Sequence, residues 1–151
     1  MVAAKGSRRA WLVWAAALVA YAVAILHRTS SGVSGIEAAE RFGVSATVLS
    51  TFVMVQLATY ATMQVPSGLL LDRFGSRAMI AGGALLMAAG QAVLAVSHAL
   101  GWAYLARVMI GAGDAATFIA VIRLVALWFP ARQVPVLTQL SGVLGQAGQV
   151  A

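Results

Sequence analysis

Gly68-Leu69-Leu70-Leu71-Asp72-Arg73-Phe74-Gly75-Ser76-Arg77 interrupts two long apolar stretches, residues 48–71 and 78–97. Two glycines bracket a tight turn. An acid and two bases stand there, between segments almost free of charge. A bilayer core of ~30 Å takes roughly 20 apolar helical residues, and each flanking stretch has that length. The charged turn is therefore expected at a membrane surface, where it caps helix ends and forms ion pairs that must break if the helices move apart.

The same pattern extends in both directions. Residues 11–35, 102–129 and 136–151 are further apolar segments, the last still apolar and glycine-rich at Ala151. The expectation is an all-α, polytopic transmembrane helix bundle with four complete helices and part of a fifth. A tail, residues 1–10, precedes the bundle at residues 11–151, and the chain reads as the beginning of something longer. Composition agrees: 62% of the 151 residues are hydrophobic and 9% charged, against ~25% charged in a soluble domain. Disorder requires the opposite balance. The absence of cysteine removes disulfides, thiolate metal sites and cysteine nucleophiles. Two distant histidines and four acids leave no metal site or catalytic cluster in view, so neither an enzyme nor a cofactor is expected.

Basic residues orient a membrane protein. Lys5, Arg8, Arg9, Arg73, Arg77 and Arg132 fall on one side, and only Arg41, beside Glu37 and Glu40, on the other. That asymmetry predicts a cytoplasmic N-terminus in a multi-pass plasma-membrane protein, and it makes lipid, rather than nucleic acid, the partner of the +6 net charge. Ser7-Arg8-Arg9-Ala10-Trp11-Leu12 has the look of a twin-arginine signal. Several spans would nevertheless remain after cleavage, so the tail is read as an anchor.

Ionisable residues within spans are costly and usually functional. Arg28 follows Trp11 by ~26 Å of helix, and Tyr21 lies seven residues earlier, near the same face. A guanidinium and a phenol suit an oxyanion. Alternatively the helix ends near His27 and Arg28 snorkels to the interface. Arg107 and Asp114 share a face of the fourth helix two turns apart, ~10 Å, and each requires a partner elsewhere. Asp114 is the one acid inside a span and hence the candidate for proton coupling; a structural polar network is the alternative. Arg123 reads as an interfacial anchor. Gln56, Tyr60 and Gln64 form a stripe on the second helix, and Gln139 and Gln146 stand seven apart on the fifth. Such groups glue helices or line a cavity; as cavity lining, Gln56, Tyr60 and Gln146 join Tyr21 and Arg28 as substrate-binding candidates. Clusters such as Gly82-Gly83 and Gly111-Ala112-Gly113 permit close backbone approach.

The segment Gly68 to Arg77, with Gly68, Asp72, Arg73, Gly75 and Arg77, resembles the G-x-L-x-D-R-x-G-R-R signature of the major facilitator superfamily. Arg107, Gly111 and Gly113 are similar to its fourth-helix signature. Ser76 replaces one of the usual bases, Ile110 stands where glutamine is frequent, and Gly145-Gln146-Ala147-Gly148 lacks the Gly-Pro pair of drug/proton antiporters. Tyr21, His27-Arg28-Thr29-Ser30 and Gln64-x-Pro66-x-Gly68 look most like organophosphate antiporters and anion symporters, in which an arginine at the position of Arg28 contacts the anion. The resemblance implies the N-terminal part of a two-bundle, twelve-helix secondary transporter working by alternating access. It implies a small anionic substrate, a coupling proton or counter-anion, and a conformational latch at Asp72–Arg77. Sugar, nitrate or drug permeases of the superfamily, and a complete small four-helix structural protein, are the alternative expectations.

Overall fold

The computed structural model describes residues 8–33, 43, 45–97 and 99–147, with backbone alone at 20, 23–33, 46, 49 and 144–147. Four helical elements are present among them: α1 (Arg8–Val33), α2 (Ala46–Val96), α3 (Leu100–Trp128) and α4 (Val134–Ala147). The expected count of four complete helices plus part of a fifth is not matched. The stretches 48–71 and 78–97 are not parted by a longer loop: 48–71 and 78–96 fall in the two helical arms of the 51-residue α2, which meet at a kink at Gly75, with φ 77° and ψ 163°.

Length explains that bend. A straight helix of this size would extend ~77 Å at 1.5 Å per residue, more than twice a bilayer core of ~30 Å. The chain reverses with one residue, in a backbone region open essentially to glycine alone. Gly68, expected to share in a tight turn, instead lies inside the first arm of α2, and a Cβ placed on it would meet nothing within 4 Å.

Contacts to α3 give the register of both arms. Along the first arm, Thr51 shares a hydroxyl–hydroxyl hydrogen bond with Tyr104, Gln56 meets Arg107, Tyr60 faces Phe118 and Asp72 meets Arg123. Both lists ascend, so this arm runs parallel to α3. Along the second, Met79 packs near Ala120, Gly83 against Gly113 and Thr117, and Gly90 against Ala106 and Ile110; this arm is antiparallel. α2 is thus a hairpin with α3 laid along both limbs.

α1 packs on α3 and also meets α2. Ala10 and Trp14 pack with Val125, Phe129 and Leu137, and Ala17 and Tyr21 pack with Val121. Trp11, Trp14 and Phe129 meet edge to face, with centroids 5.1–6.4 Å apart. Trp14 Nε1–H donates to Ser141 Oγ at 3.3 Å and ties α4 to this cluster. Among the described residues, Ser50–Val96 and Leu100–Trp128 are long and apolar enough to cross a membrane; Val134–Val143 is a shorter apolar helix.

Gly75→Ala is expected to destabilise the protein by about 1–3 kcal/mol, because alanine resists this backbone region. Gly82→Ala should be neutral or slightly stabilising, since its Cβ would enter open space and alanine favours helix. Thermal unfolding of the two purified variants checks the contrast.

Candidate functional site

In the middle of α3 polar groups are buried among apolar neighbours. Arg107 is 6% exposed, Asp114 2% and Thr117 1%, while Gln56 opposite them on α2 is 5% exposed. Arg107 Nη1 donates to Gln56 Oε1 at 3.1 Å. This amide acceptor supplies the buried guanidinium with one of the hydrogen bonds that make burial of a polar group tolerable, while Nε makes no hydrogen bond among the described residues. Thr117 Oγ1 donates to Gly113 O at 2.9 Å, within its own helix.

The glycines of the fourth apolar segment place these groups. A Cβ on Gly111 would lie 2.5 Å from Gln56 O, and one on Gly113 would lie 2.5 Å from Gly83 O. Both partners are backbone atoms and cannot swing aside. A Cβ on Gly83 would in turn collide with Thr117 Oγ1 and Gly113 O. α3 therefore touches both arms of α2 backbone to backbone, and Gly111 sets the Gln56 backbone beside the helix that carries Arg107.

Above this contact three aromatic rings converge from three elements. Phe118 of α3 lies with its centroid 5.6 Å from Tyr21 of α1 and 6.3 Å from Tyr60 of α2. Tyr21 is buried, and Tyr60 and Phe118 are half-buried. Of the expected candidates, Tyr21, Gln56 and Tyr60 thus each meet α3, the helix that carries Asp114. Gln64 is half-buried and Gln139 exposed. Arg28 falls in α1 and Gln146 in α4, but their side chains lie outside the described residues, as do Lys5, Glu37, Glu40, Arg41 and Gly148.

At the far end of the first arm, Asp72 Oδ1 accepts from Arg123 Nη2 at 3.2 Å, both side chains being more than half exposed. Arg73 lies over the Phe74 ring, 5.5 Å from its centroid. A cleft of about 970 Å³ opens beside this end, lined by Arg9, Ser76, Arg77 and Trp128 with apolar residues of α1, α2 and α3. Tyr21, Gln56, Tyr60 and Asp114 do not line it. No group of three or more metal-ligating side chains occurs among the described residues.

Three of these relationships were not anticipated from the sequence: Gln56 with Arg107, Asp72 with Arg123, and Phe118 between the tyrosines. Opposite charges at one membrane level were a usable signal for the second. For the first, two isolated polar residues in apolar spans signalled a need for partners without choosing them. Nothing distinguished Phe118 from any core phenylalanine.

The sequence pattern of the Major Facilitator Superfamily matches residues 7–151, and the chain belongs to that family. Its members are integral multi-pass membrane proteins that transport solutes rather than enzymes. A protein of Agrobacterium vitis named for tartrate transport is 27% identical over 123 residues, 82% of this chain and 27% of that protein. One of Pseudomonas putida named for galactarate/D-glucarate transport is 30% identical over 70% of this chain and 25% of its own length. One of Escherichia coli K12 named for L-galactonate transport is 30% identical over 78% of this chain and 25% of its own. The chain spans about a quarter of the length of these relatives. No solved structure matches it.

Gln56→Leu should weaken the fold by about 1–3 kcal/mol, because the buried Arg107 guanidinium loses an acceptor. Gly113→Ala should be at least as damaging, since its new Cβ meets the Gly83 backbone. Unfolding of each variant in detergent measures both, and wild-type stability in Gln56→Leu would refute the pairing.

Proposed function

We propose that the complete protein is a secondary active transporter of a small organic anion, a hydroxylated mono- or dicarboxylate, working by alternating access. One observation carries the substrate class: relatives matching most of this chain are named for transport of tartrate, galactarate/D-glucarate and L-galactonate. Each name denotes a sugar acid or hydroxy acid, whose recognition calls for a cation for the carboxylate and hydrogen-bonding groups for the hydroxyls.

The proposed anion clamp is Arg28, whose planar, permanently charged guanidinium fits a carboxylate in bidentate fashion. Tyr21, Gln56, Tyr60 and Gln146 are proposed to bind the remainder of the substrate. Asp114 is proposed as the proton-linked carboxylate; it is 2% exposed, and an ionisable side chain buried within a span is costly and usually functional. The coupling ion is a proton or a counter-anion. The distribution of basic residues supports a cytoplasmic N-terminus in the plasma membrane. The signature segment Gly68–Arg77 is proposed as the conformational latch at that face, with Asp72 held by Arg123.

Uptake of radiolabelled D-glucarate and L-tartrate by cells expressing the complete reading frame tests the proposal. Arg28→Ala should raise KM at least tenfold, and Arg28→Lys should not restore it fully, because an ammonium lacks the bidentate fork. Unchanged affinity in Arg28→Ala would eliminate the clamp. Asp72→Arg should slow uptake, and adding Arg123→Asp should recover much of it. Protein stability should shift by under ~1 kcal/mol throughout that pair, as exposed ion pairs contribute little.

A further inference from the structure

Phe118 has no role in the transport reading above, yet it is the ring shared by both proposed substrate-binding tyrosines. It lies 5.6 Å from Tyr21 with rings 35° apart, and 6.3 Å from Tyr60 with rings 49° apart. Tyr21 belongs to α1 and Tyr60 to the first arm of α2, so two separate helices present phenols whose rings rest on one residue of a third. Packing fixes that third residue. Ile80, Ala17, Val121 and Tyr21 share its cluster, and Thr117 beside it in sequence lies against Gly83 at the close backbone contact. Asp114 is one helical turn below Phe118, at the i,i+4 spacing that shares a helix face.

From this arrangement we infer that Phe118 is a positioning residue for substrate selectivity: it holds the Tyr21 and Tyr60 phenols in one arrangement that reads the hydroxyl groups of the acid. The inference rests on the proposed anion transport and extends it to what distinguishes one acid from another. Arg28 would serve any carboxylate. A rigid pair of phenols serves only a carboxylate with hydroxyls at the right places, and a site built to hydrogen-bond a substrate hydroxyl rejects the analogue lacking it. A tyrosine ring is rigid and amphipathic, but its hydroxyl is only as well placed as the ring, and offset or edge contacts with a fixed neighbour place it. Without Phe118 the two phenols would lose a ring neighbour that they share, and the preference for hydroxylated acids would fall while the carboxylate is still bound.

L-tartrate and succinate test this directly, because they are dicarboxylates of equal length that differ in two hydroxyls. Uptake of each is measured in proteoliposomes of the complete protein. Wild type is expected to have a KM for succinate at least tenfold above that for L-tartrate. Phe118→Leu should bring the ratio below about threefold, with maximal succinate transport within twofold of wild type. Phe118→Tyr, which keeps the ring, should retain the ratio. Tyr21→Phe and Tyr60→Phe, which keep both rings and remove one phenol each, should lower it as Phe118→Leu does, and they decide the matter if Phe118→Leu does not fold. An unchanged ratio in Phe118→Leu, a parallel loss for both acids, no rescue by tyrosine, or no preference in wild type overturns the inference. If wild type moves neither these two acids nor D-glucarate, the anion reading fails instead. Non-additive thermal unfolding of Tyr21→Leu and Phe118→Leu, by twofold or more in the unfolding equilibrium, then supports the ring tie, and additivity overturns it.

Discussion

The contact on which the rest depends is the approach of α3 to both arms of α2 with no side chain between them. In a bilayer, lipid tails are as apolar as leucine, so helices associate through close packing and hydrogen bonds rather than expulsion of water. Glycine maximises the first of these. Gly111 abuts the Gln56 carbonyl and Gly113 abuts the Gly83 carbonyl, so one stretch of α3 is fixed against two limbs running in opposite directions. With the three backbones held, Arg107 reaches Gln56, Thr51 reaches Tyr104 and Asp72 reaches Arg123. A methyl group at either α3 glycine would part the backbones and disturb the whole series.

That rigidity also makes the buried polar groups tolerable. A guanidinium held away from water is stable only if its hydrogen bonds are made with good geometry, and the backbone contact at Gly111 is adjacent to the Gln56 that supplies one. The same helix then carries Asp114, Thr117 and Phe118 over the next three turns. Successive positions of α3 thus serve helix packing, charge burial and ring support. This is why so many of the long helix's residues are buried, from Ala103 to Val125, in a helix whose composition alone would suit a lipid-facing span.

The all-helical class was legible because apolar length and turn chemistry are one-dimensional signals. Gly68 and Gly75 looked alike in that record, as brackets of a turn. Backbone angles separate them: the positive φ belongs to Gly75, while Gly68 is an ordinary helical residue with room for a side chain. The expected loop shrank to one residue because the helix on each side continues to the charged segment, and so two expected helices became limbs of one element. Of the candidate site, the isolated polar residues stood out by their cost in a membrane. Their pairings did not, because register between helices is set by glycine contacts that sequence spacing within one helix cannot encode. Phe118 was illegible for a plainer reason, since its surroundings come from helices distant in sequence.

The same register revises how the signature segment can work. An acid and bases at a membrane surface suggest ion pairs that break when helices part, but Asp72 and Arg123 belong to α2 and α3, which the glycine contacts lock together. Their 3.2 Å pair therefore joins two elements already in backbone contact, and its exposed setting gives it little energy with which to resist motion. Its natural effect is to hold the end of the first arm, and with it the Gly75 reversal, at a set position. Arg73 and Arg77 are exposed at that reversal, and Arg77 lines the cleft that also borders Arg9 and Trp128. If the segment acts as a latch, the contacts that break are those made by these two arginines to parts of the protein that move relative to the α2–α3 unit, while Asp72 and Arg123 stay paired and aim them.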